Sequence, residues 1–186
     1  VPLLATPFRQ RKNMLGDVVH STPVYGVSAG DSQPFVIFGA NDGMVHVLNA
    51  TTGDELFAYI PSTSYKNLYR LAQSTYDQNH RFFVDGTIKV VTVKDGDNNR
   101  TIAVGTFGFG AQGAWALDLT TLKGLTATTA TSRMLWELKD SASSTIGYML
   151  NAPAVFPVTS GDTTSWLAVF GNGYNATESD SSIDST

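Results

Sequence analysis

The sequence predicts an all-β protein built from four-stranded antiparallel meanders. Three apolar runs, at 35–38, 44–48 and 55–60, are short and rich in Val, Ile, Phe and Tyr. The turn-forming segments 39–43 (GANDG) and 49–53 (NATTG) separate them. Short runs bounded by such turns are typical of consecutive antiparallel strands. Because 42% of the 186 residues are hydrophobic, the chain is expected to enclose a core.

A repeat with a step of 66 residues indicates how the meanders are arranged. In each copy an aliphatic or aromatic residue followed by glycine ends an apolar run and opens a turn. The three pairs are Phe38-Gly39, Val104-Gly105 and Phe170-Gly171. Meanders in series form the blades of a β-propeller, so we predict a partial β-propeller of about two and a half four-stranded blades. A β-sandwich of about nine strands is the alternative, but sandwiches carry no internal repeat.

The whole chain, 1–186, is interpreted as a fragment of one propeller domain. Tyr65, Leu68, Tyr69 and Tyr76 fall near helical spacing, which predicts one short helix lying across a blade face. The Thr-rich stretch 122–133 is expected to form a mobile loop. The predicted parts are blade 1 at 15–61, the helical insertion at 62–81, blade 2 at 82–139, an incomplete blade 3 at 145–175 and an acidic tail at 176–186.

The composition excludes several classes of protein. The net charge is −4 and no basic patch is interleaved with aromatic residues, so nucleic acid is not an expected partner. No apolar run approaches the roughly 18 residues of a membrane-spanning helix. The absence of cysteine excludes a disulfide framework and thiolate chemistry. The sequence starts at Val1 without a signal peptide and stops within a repeat, so we interpret it as a piece of a larger protein.

Five motifs make the sequence more specific than a generic propeller. They are LGDVVHSTPVYG (15–26), GANDGMVHVLNATTGDELFAYIPS (39–62), YDQNHRFFVDGT (76–87), GAWALDL (113–119) and AVFGNGYN (168–175). Through these motifs the chain, from about Arg9 to about Asn175, resembles the C-terminal propeller of the PilC/PilY-type type IV pilus-tip adhesins. VLNATTGDELF also looks like the A-x-D-x-x-T-G-x-x-x-W repeat of quinoprotein-type propellers. Asn49 and Phe57 replace its Asp and Trp, whereas Asp118 and Trp136 hold those places in the second unit.

The resemblance implies an exported, non-enzymatic protein at the bacterial cell surface, on the pilus tip or the outer membrane. Such proteins support pilus assembly, attachment and twitching motility, and the implied partners are minor pilins and a host-cell or abiotic surface. Family members also bind calcium through a D-x-D-x-D-x-x-x-D loop, which does not occur intact here. Calcium is therefore expected only in the full-length protein, and no cofactor is expected in this fragment.

Asp95, Asp97 and Asn99 are the candidate metal ligands, because their side-chain oxygens have the 1-3-5 spacing of a calcium loop. Two features argue against calcium. Arg100 stands where glycine would make the sharp turn, and Thr106 stands where a bidentate acid would close the site. A solvated hairpin turn is the favoured interpretation, since short Asp and Asn runs are turn formers.

The three histidines, His20, His46 and His80, lack the spacing of a metal site and are expected in the core or at a rim. Asp17, His20 and Ser21 suggest a catalytic triad. Because His20 and Ser21 are adjacent on a strand, their side chains would point to opposite faces, and the triad fails.

Two further motifs have structural interpretations. The glycine-rich segment 107–113 lacks the Lys-Ser/Thr of a phosphate-binding loop and leads into a strand, so we interpret it as a flexible turn. Trp115, Trp136 and Trp166 lie on predicted strands and are expected to pack between neighbouring blades.

One rim of the propeller is predicted to form the interaction surface. The turns 39–43, 107–113 and 171–175 and the insertion 62–81 are expected to supply it. The candidate contact residues are Asn41, Asp42, Phe107, Phe109, Asn172, Tyr174, Tyr65 and Tyr69.

Two alternative functions stay open at this point. A quinoprotein-type dehydrogenase would hold a quinone and calcium in the central channel of the propeller. A scaffold propeller of the outer-membrane assembly type would share the repeat but not the YIPS and FGNGYN motifs.

Overall fold

The computed structural model of the chain describes residues 8–139, 146–161 and 163–176. Within these residues, ten strands form two four-stranded sheets and one two-stranded sheet, with antiparallel pairing throughout. The strands are β1 (Val24–Val27), β2 (Pro34–Gly39), β3 (Val45–Asn49), β4 (Glu55–Tyr59), β5 (Ile88–Asp95), β6 (Asn98–Thr106), β7 (Gly113–Asp118), β8 (Met134–Lys139), β9 (Ala154–Ser160) and β10 (Thr163–Val169). The predicted all-β meanders are confirmed. The tail predicted at 176–186 lies outside the described residues, apart from Ala176.

The first sheet has the strand order β1-β2-β3-β4. Pro23 precedes β1, an edge strand, where a missing N–H removes no ladder hydrogen bond. The side-chain oxygen of Asn49 ends β3 by accepting hydrogen bonds from the backbone N–H groups of Thr51 (2.9 Å) and Thr52 (3.3 Å). Gly53 completes the turn with φ of 81°, a conformation that glycine adopts without strain.

The second sheet repeats this arrangement with the order β5-β6-β7-β8. Asp118 ends β7 in the way that Asn49 ends β3, because its carboxylate accepts a hydrogen bond from the backbone N–H of Thr120 (2.8 Å). Both four-stranded sheets also carry a register shift in the same place, after Val47 in β3 and after Ala116 in β7. The sequence repeat A-x-D-x-x-T-G-x-x-x-W therefore aligned the two units correctly: Asn49 corresponds to Asp118, and Phe57 corresponds to Trp136.

Strand pairing shows which residues of the three units correspond. In the first unit Ile37 pairs with Val47 and in the second Val104 pairs with Ala116, and each partner directly precedes the register shift of its strand. In the third unit, which has only β9 and β10, the residues on either side of Val169 pack against the second sheet, so Val169 faces away from that sheet, as Val104 faces away from the first. Ile37, Val104 and Val169 thus occupy equivalent positions on neighbouring sheets.

The predicted alignment of Phe38, Val104 and Phe170 is therefore wrong by one residue. A slip of one residue moves a side chain to the opposite face of a sheet. Phe38 stacks on His46, on the face of the first sheet opposite to Ile37. Phe170 packs against the same apolar cluster as Val104, but from the third unit. The four-stranded meander recurs in the first two units, and the third unit has two antiparallel strands in the described residues.

Three apolar clusters hold the described parts of the chain together, and the two largest lie between neighbouring units. The first interblade core joins the first two sheets and contains the fully or almost fully buried residues Phe35, Ile37, Val45, Val47, Val84, Ile88, Ala103, Phe107, Trp115, Leu117, Leu119 and Leu122. The second interblade core joins the second sheet to the third unit and consists of Val93, Ile102, Val104 and Ala116, with Val155, Trp166, Ala168 and Phe170 packed against them. Both faces of the second sheet are therefore buried. Full burial of one large apolar side chain stabilises the fold by about 1.5–3 kcal/mol.

The insertion between β4 and β5 is helical, as predicted, but it forms three short turns rather than one helix. They are the α-helix α1 (Ser62–Tyr65) and two 3-10 turns, Leu68–Ala72 and Tyr76–Gln78. No side chain caps the N-terminus of any of the three, which limits how far each extends. The stretch predicted as a loop at 122–133 also contains a helix, α2 (Ala127–Ala130). At its N-terminus the side chains of Thr126 and Thr129 each accept a hydrogen bond from the backbone N–H of the other, which is a capping box.

Candidate functional site

The connections at one end of the sheets form a continuous surface, which we call the loop rim. It comprises 40–44 between β2 and β3, 107–112 between β6 and β7, and 170–176 after β10. Because the strands are antiparallel, residues 14–23 before β1 and 60–87 between β4 and β5 lie at the same end. The three turns predicted to share a rim belong to this surface.

Two reciprocal histidine–aspartate pairs join the segment before β1 to the segment before β5. Asp85 is buried and accepts a hydrogen bond from the backbone N–H of His20 (3.2 Å), while its other oxygen lies 2.7 Å from Nδ1 of the same residue. In the opposite direction, Nε2 of His80 lies 3.0 Å from Asp17. The two pairs link the rim across the boundary between the first two blades.

Aromatic rings continue the same junction. The ring of Phe82 lies between His20 and His80, with centroid distances of 5.5 and 5.4 Å. Phe109, from the β6–β7 loop, packs edge-on against His20 at 5.4 Å and contacts Phe82 at 5.8 Å. Phe109 is 45% exposed, so this cluster presents one apolar face to solvent.

The polar turn between β2 and β3 is directed inward. The Asn41 side chain accepts a hydrogen bond from the backbone N–H of Phe83 (3.0 Å) and donates one to Asp17 (3.0 Å). Asp42 accepts hydrogen bonds from the backbone N–H groups of Gly16 (2.7 Å) and Met44 (3.1 Å). Both side chains are almost fully buried. Their hydrogen bonds hold the segments of the loop rim together.

His46 lies between two carboxylates on the outer face of the first sheet. Its Nε2 is 3.1 Å from Asp42 and its Nδ1 is 2.6 Å from Glu55. Burial by itself would lower the pKa of His46, but the hydrogen bonds and charges of these carboxylates outweigh burial and raise it. Burial by itself would raise the pKa of Asp42, yet its hydrogen bonds to His46 and Gly16 hold that pKa below its usual value.

Replacing His46 by glutamine is expected to give a pH-dependent loss of stability. The raised pKa of His46 stabilises the fold fully below about pH 6.5 and loses this effect as pH rises through the folded-state value. The lowered pKa of Asp42 stabilises the fold above about pH 4 and loses its effect at lower pH. Urea unfolding should show a loss of about 1–3 kcal/mol at pH 5.5 and a smaller loss at pH 8.5.

The matched control for this prediction is His80→Gln. The pair of His80 with Asp17 is partly exposed on both sides, so its loss is expected to cost less than about 1 kcal/mol. A loss for His46→Gln that is equal at the two pH values would contradict the ionic role of His46.

The glycine-rich loop between β6 and β7 is anchored by close backbone contacts. The ring of Phe107 is fully buried in the first interblade core, and Gly108 has φ of 57°. A Cβ at Gly110 would lie only 1.7 Å from the carbonyl oxygen of Phe83, so no other residue fits there without displacing the backbone. Glycine is thus required at position 108 for its conformation and at 110 for space.

The loop after β10 is held in a similar way. Tyr148 and Tyr174 exchange backbone hydrogen bonds of 2.7 and 2.9 Å, and the backbone N–H of Gly147 donates to Asn172 (2.8 Å). Gln112 donates from its side chain to the carbonyl oxygen of Asn175 (2.8 Å), which links this loop to the β6–β7 loop. The loops of the second and third units therefore form one connected surface.

Comparison with known proteins assigns the family. The family model of the PilY1 beta-propeller domain matches residues 15–186. The chain belongs to the PilY1 β-propeller domain family.

Named relatives of this PilY1-family chain are pilus biogenesis factors. The type IV pilus biogenesis factor PilY1 of Pseudomonas aeruginosa UCBPP-PA14 is 34% identical over 193 residues, which is 91% of this chain and 16% of the relative. A PilY1 homolog of Xylella fastidiosa Temecula1 is 32% identical over 203 residues, which is 94% of this chain and 13% of the relative. The chain thus spans less than one fifth of the length of these relatives.

A solved structure agrees with the family assignment. The crystal structure of the Pseudomonas aeruginosa PilY1 C-terminal domain matches with a TM-score of 0.56 and 33% sequence identity. The match covers 77% of this chain and 26% of the crystallised one. The predicted partial β-propeller and the predicted resemblance are both confirmed.

The structure separates the predicted contact residues of this PilY1-family chain into two groups. Asn41, Asp42 and Phe107 are buried, so the prediction that they contact a partner is wrong. Asn41 and Asp42 form hydrogen bonds inside the molecule, and Phe107 packs in the first interblade core. The exposed residues, which stay candidates, are Phe109, Asn172, Tyr174, Tyr65 and Tyr69.

The candidate metal ligands do not fit a calcium site. Asp95 pairs with Asn98 across a tight hairpin, and Asn99 pairs with Lys94. Because directly opposed residues share a face and successive residues alternate, Asp95 and Asn99 point to opposite faces. Asp95 also contacts the Arg100 guanidinium at 3.2 Å. No cluster of three acidic, histidine or cysteine side chains suited to a metal occurs within the described ranges.

Sequence reasoning missed a basic cleft in the loop rim. Its charged residues are Lys66, Arg81 and Lys139, and its volume is about 430 Å³. They are separated by 15 and 58 positions along the chain, so no local motif could indicate that they meet. The pairing of His20 with Asp85, 65 positions apart, was missed for the same reason.

Proposed function

We propose that the chain forms part of the β-propeller of a type IV pilus biogenesis factor and acts without catalysis. The match of the PilY1 propeller family over residues 15–186 supports this role, together with relatives that are named for pilus biogenesis. None of the named relatives is a dehydrogenase or an outer-membrane assembly scaffold, so neither alternative is favoured.

The loop rim is the proposed working surface of the propeller. Buried polar residues and paired histidines fix its loops, while Phe109, Tyr65, Tyr69 and Tyr174 remain exposed on it. A rigid scaffold that presents exposed aromatic side chains is suited to binding other proteins or surfaces. The proposed partners are minor pilins at the pilus tip and a host-cell or abiotic surface.

The proposed location is outside the cell, at the pilus tip or the outer membrane. In the part of the chain that the structure describes, no helix is long and apolar enough to cross a membrane. Calcium is proposed for the full-length protein only, since the candidate ligands here do not fit it.

A segment exchange tests the proposed function. In Pseudomonas aeruginosa PilY1, the 16% of the protein that this chain matches would be replaced by residues 15–186 of this chain. Surface pili and twitching are expected to return in a strain that lacks its own PilY1. An exchanged protein that is exported at the normal level but restores neither pili nor twitching would contradict the proposal. Dye-linked dehydrogenase activity after reconstitution with a quinone would also contradict it.

A further inference from the structure

We propose that the basic cleft of the loop rim binds an anionic saccharide, a sugar unit that carries a carboxylate or sulfate group. Three separate parts of the chain form the cleft. They are the start of the insertion around Lys66, the β6–β7 loop at Gln112, and the end of β8 at Lys139. Arg81 and Tyr148 complete the lining. At about 430 Å³ the cleft falls in the size range of small-molecule sites.

The charge of the cleft selects for anions. Lys66, Arg81 and Lys139 contribute three positive charges, and among the described residues that line the cleft there is no carboxylate. Within the described residues none of the three forms a direct ion pair, although the charge of Lys139 also acts on the nearby Glu137 carboxylate. The chain as a whole has 12 basic and 16 acidic residues and is therefore negatively charged. The described lining of the cleft, in contrast, is positively charged. Clefts lined by one sign of charge concentrate ligands of the opposite sign.

A hydrogen-bond network positions one wall of the cleft. The Lys139 ammonium donates to the Ser62 hydroxyl (3.1 Å), and the Ser62 hydroxyl donates to Glu137. Glu137 also accepts hydrogen bonds from the backbone N–H of Ser62 (2.8 Å) and from the Tyr59 hydroxyl. Burial by itself would raise the pKa of Glu137, but these hydrogen bonds outweigh it and hold the pKa below its usual value. The ionised carboxylate therefore fixes the start of α1 against β8.

Aromatic and amide groups give the cleft the other features of a sugar site. Tyr65 is 61% exposed, so its ring is available to the apolar face of a sugar. The backbone hydrogen bonds of Tyr148 to Tyr174 hold the second tyrosine in place. The amide groups of Gln112 and Asn67 can pair with sugar hydroxyls. Guanidinium and ammonium groups pair with carboxylate or sulfate through charge-assisted hydrogen bonds.

This site is independent of the proposed pilus function, because it rests on the cleft residues alone. A saccharide site here would give the protein a means of recognising acidic glycans, whatever larger assembly contains it.

Isothermal titration of the full chain with a heparin-derived disaccharide, which carries carboxylate and sulfate groups, tests the site. Measurable binding is expected, and lactose, a neutral disaccharide, is expected to bind at least tenfold more weakly. The double variant Lys66→Gln/Arg81→Gln should lose at least tenfold in affinity. The variant Lys89→Gln/Lys94→Gln removes the same net charge from exposed positions outside the cleft and should stay within twofold of the parent.

Three results would overturn the proposal. They are no binding of the disaccharide by the parent chain, an equal loss in both double variants, and equally tight binding of inorganic sulfate alone. Equal losses would show that net charge alone attracts the probe. Far-UV circular dichroism of both double variants tests whether they are folded. A Tyr65→Ala variant keeps all charges and should weaken binding of the disaccharide threefold or more.

Discussion

Replacing Trp115 by alanine is expected to lower the free energy of unfolding by about 3–5 kcal/mol. The side chain is fully buried in the first interblade core, where it contacts residues of both sheets. Its ring also covers Gly105, where an added Cβ would lie 2.2 Å from the ring. Loss of the indole would leave a cavity at the junction of two blades. Most small domains are stable by only about 5–15 kcal/mol, so this single change removes much of the total.

Urea unfolding followed by far-UV circular dichroism measures the effect of Trp115→Ala. The matched control is Trp166→Ala, which is expected to cost about 1–2 kcal/mol because its ring is partly exposed and its N–H donates to the carbonyl oxygen of Lys94 (3.1 Å). Trp115→Phe should recover at least half of the loss, since the indole N–H has no hydrogen-bond partner within the described residues. Equal losses for Trp115→Ala and Trp166→Ala would contradict the core position of Trp115.

The strands and the strand order could be predicted from the sequence because they depend on local signals. Alternating apolar residues and turns with Asn, Asp and Gly specify the meander without knowledge of distant contacts. The position of Asn49 and Asp118 could be predicted too, because each side chain caps the turn that immediately follows its strand. These signals lie within a few residues of the structure that they specify.

The alignment of the repeat failed because the steps between equivalent positions are unequal. Ile37 and Val104 are 67 positions apart and Val104 and Val169 are 65 apart, so Thr106, not Gly105, is equivalent to Gly39. Gly39 is close to the carbonyl oxygen of Val84, whereas Gly105 lies under Trp115. The same residue type is thus required for two unrelated reasons. Identical letters at a constant step therefore suggested an equivalence that strand pairing does not support.

The interior of the loop rim could not be predicted because its contacts are long-range. Asn41 and Asp42 look like solvated turn residues, yet their partners Phe83 and Gly16 lie 42 and 26 positions away. The same holds for the basic cleft, whose cations come from distant parts of the chain. A single sequence without aligned relatives gives no signal for such contacts.

The second large effect is expected at the equivalent positions of the three units. Ile37 and Val104 are buried, and each faces the next unit of the propeller. Ile37→Ala is expected to cost about 2–5 kcal/mol and Val104→Ala about 1–3 kcal/mol, because each leaves a cavity in an interblade core. Val169, the third equivalent residue, is 47% exposed in the described part of the chain.

Urea unfolding of the three alanine variants side by side tests most directly whether the chain is a stack of repeated blades in this register. The stacked arrangement predicts clear losses at Ile37 and Val104 and a loss below about 0.5 kcal/mol at Val169, where no described blade follows. A loss at Val169 as large as that at Val104, or no loss at Val104, would contradict it.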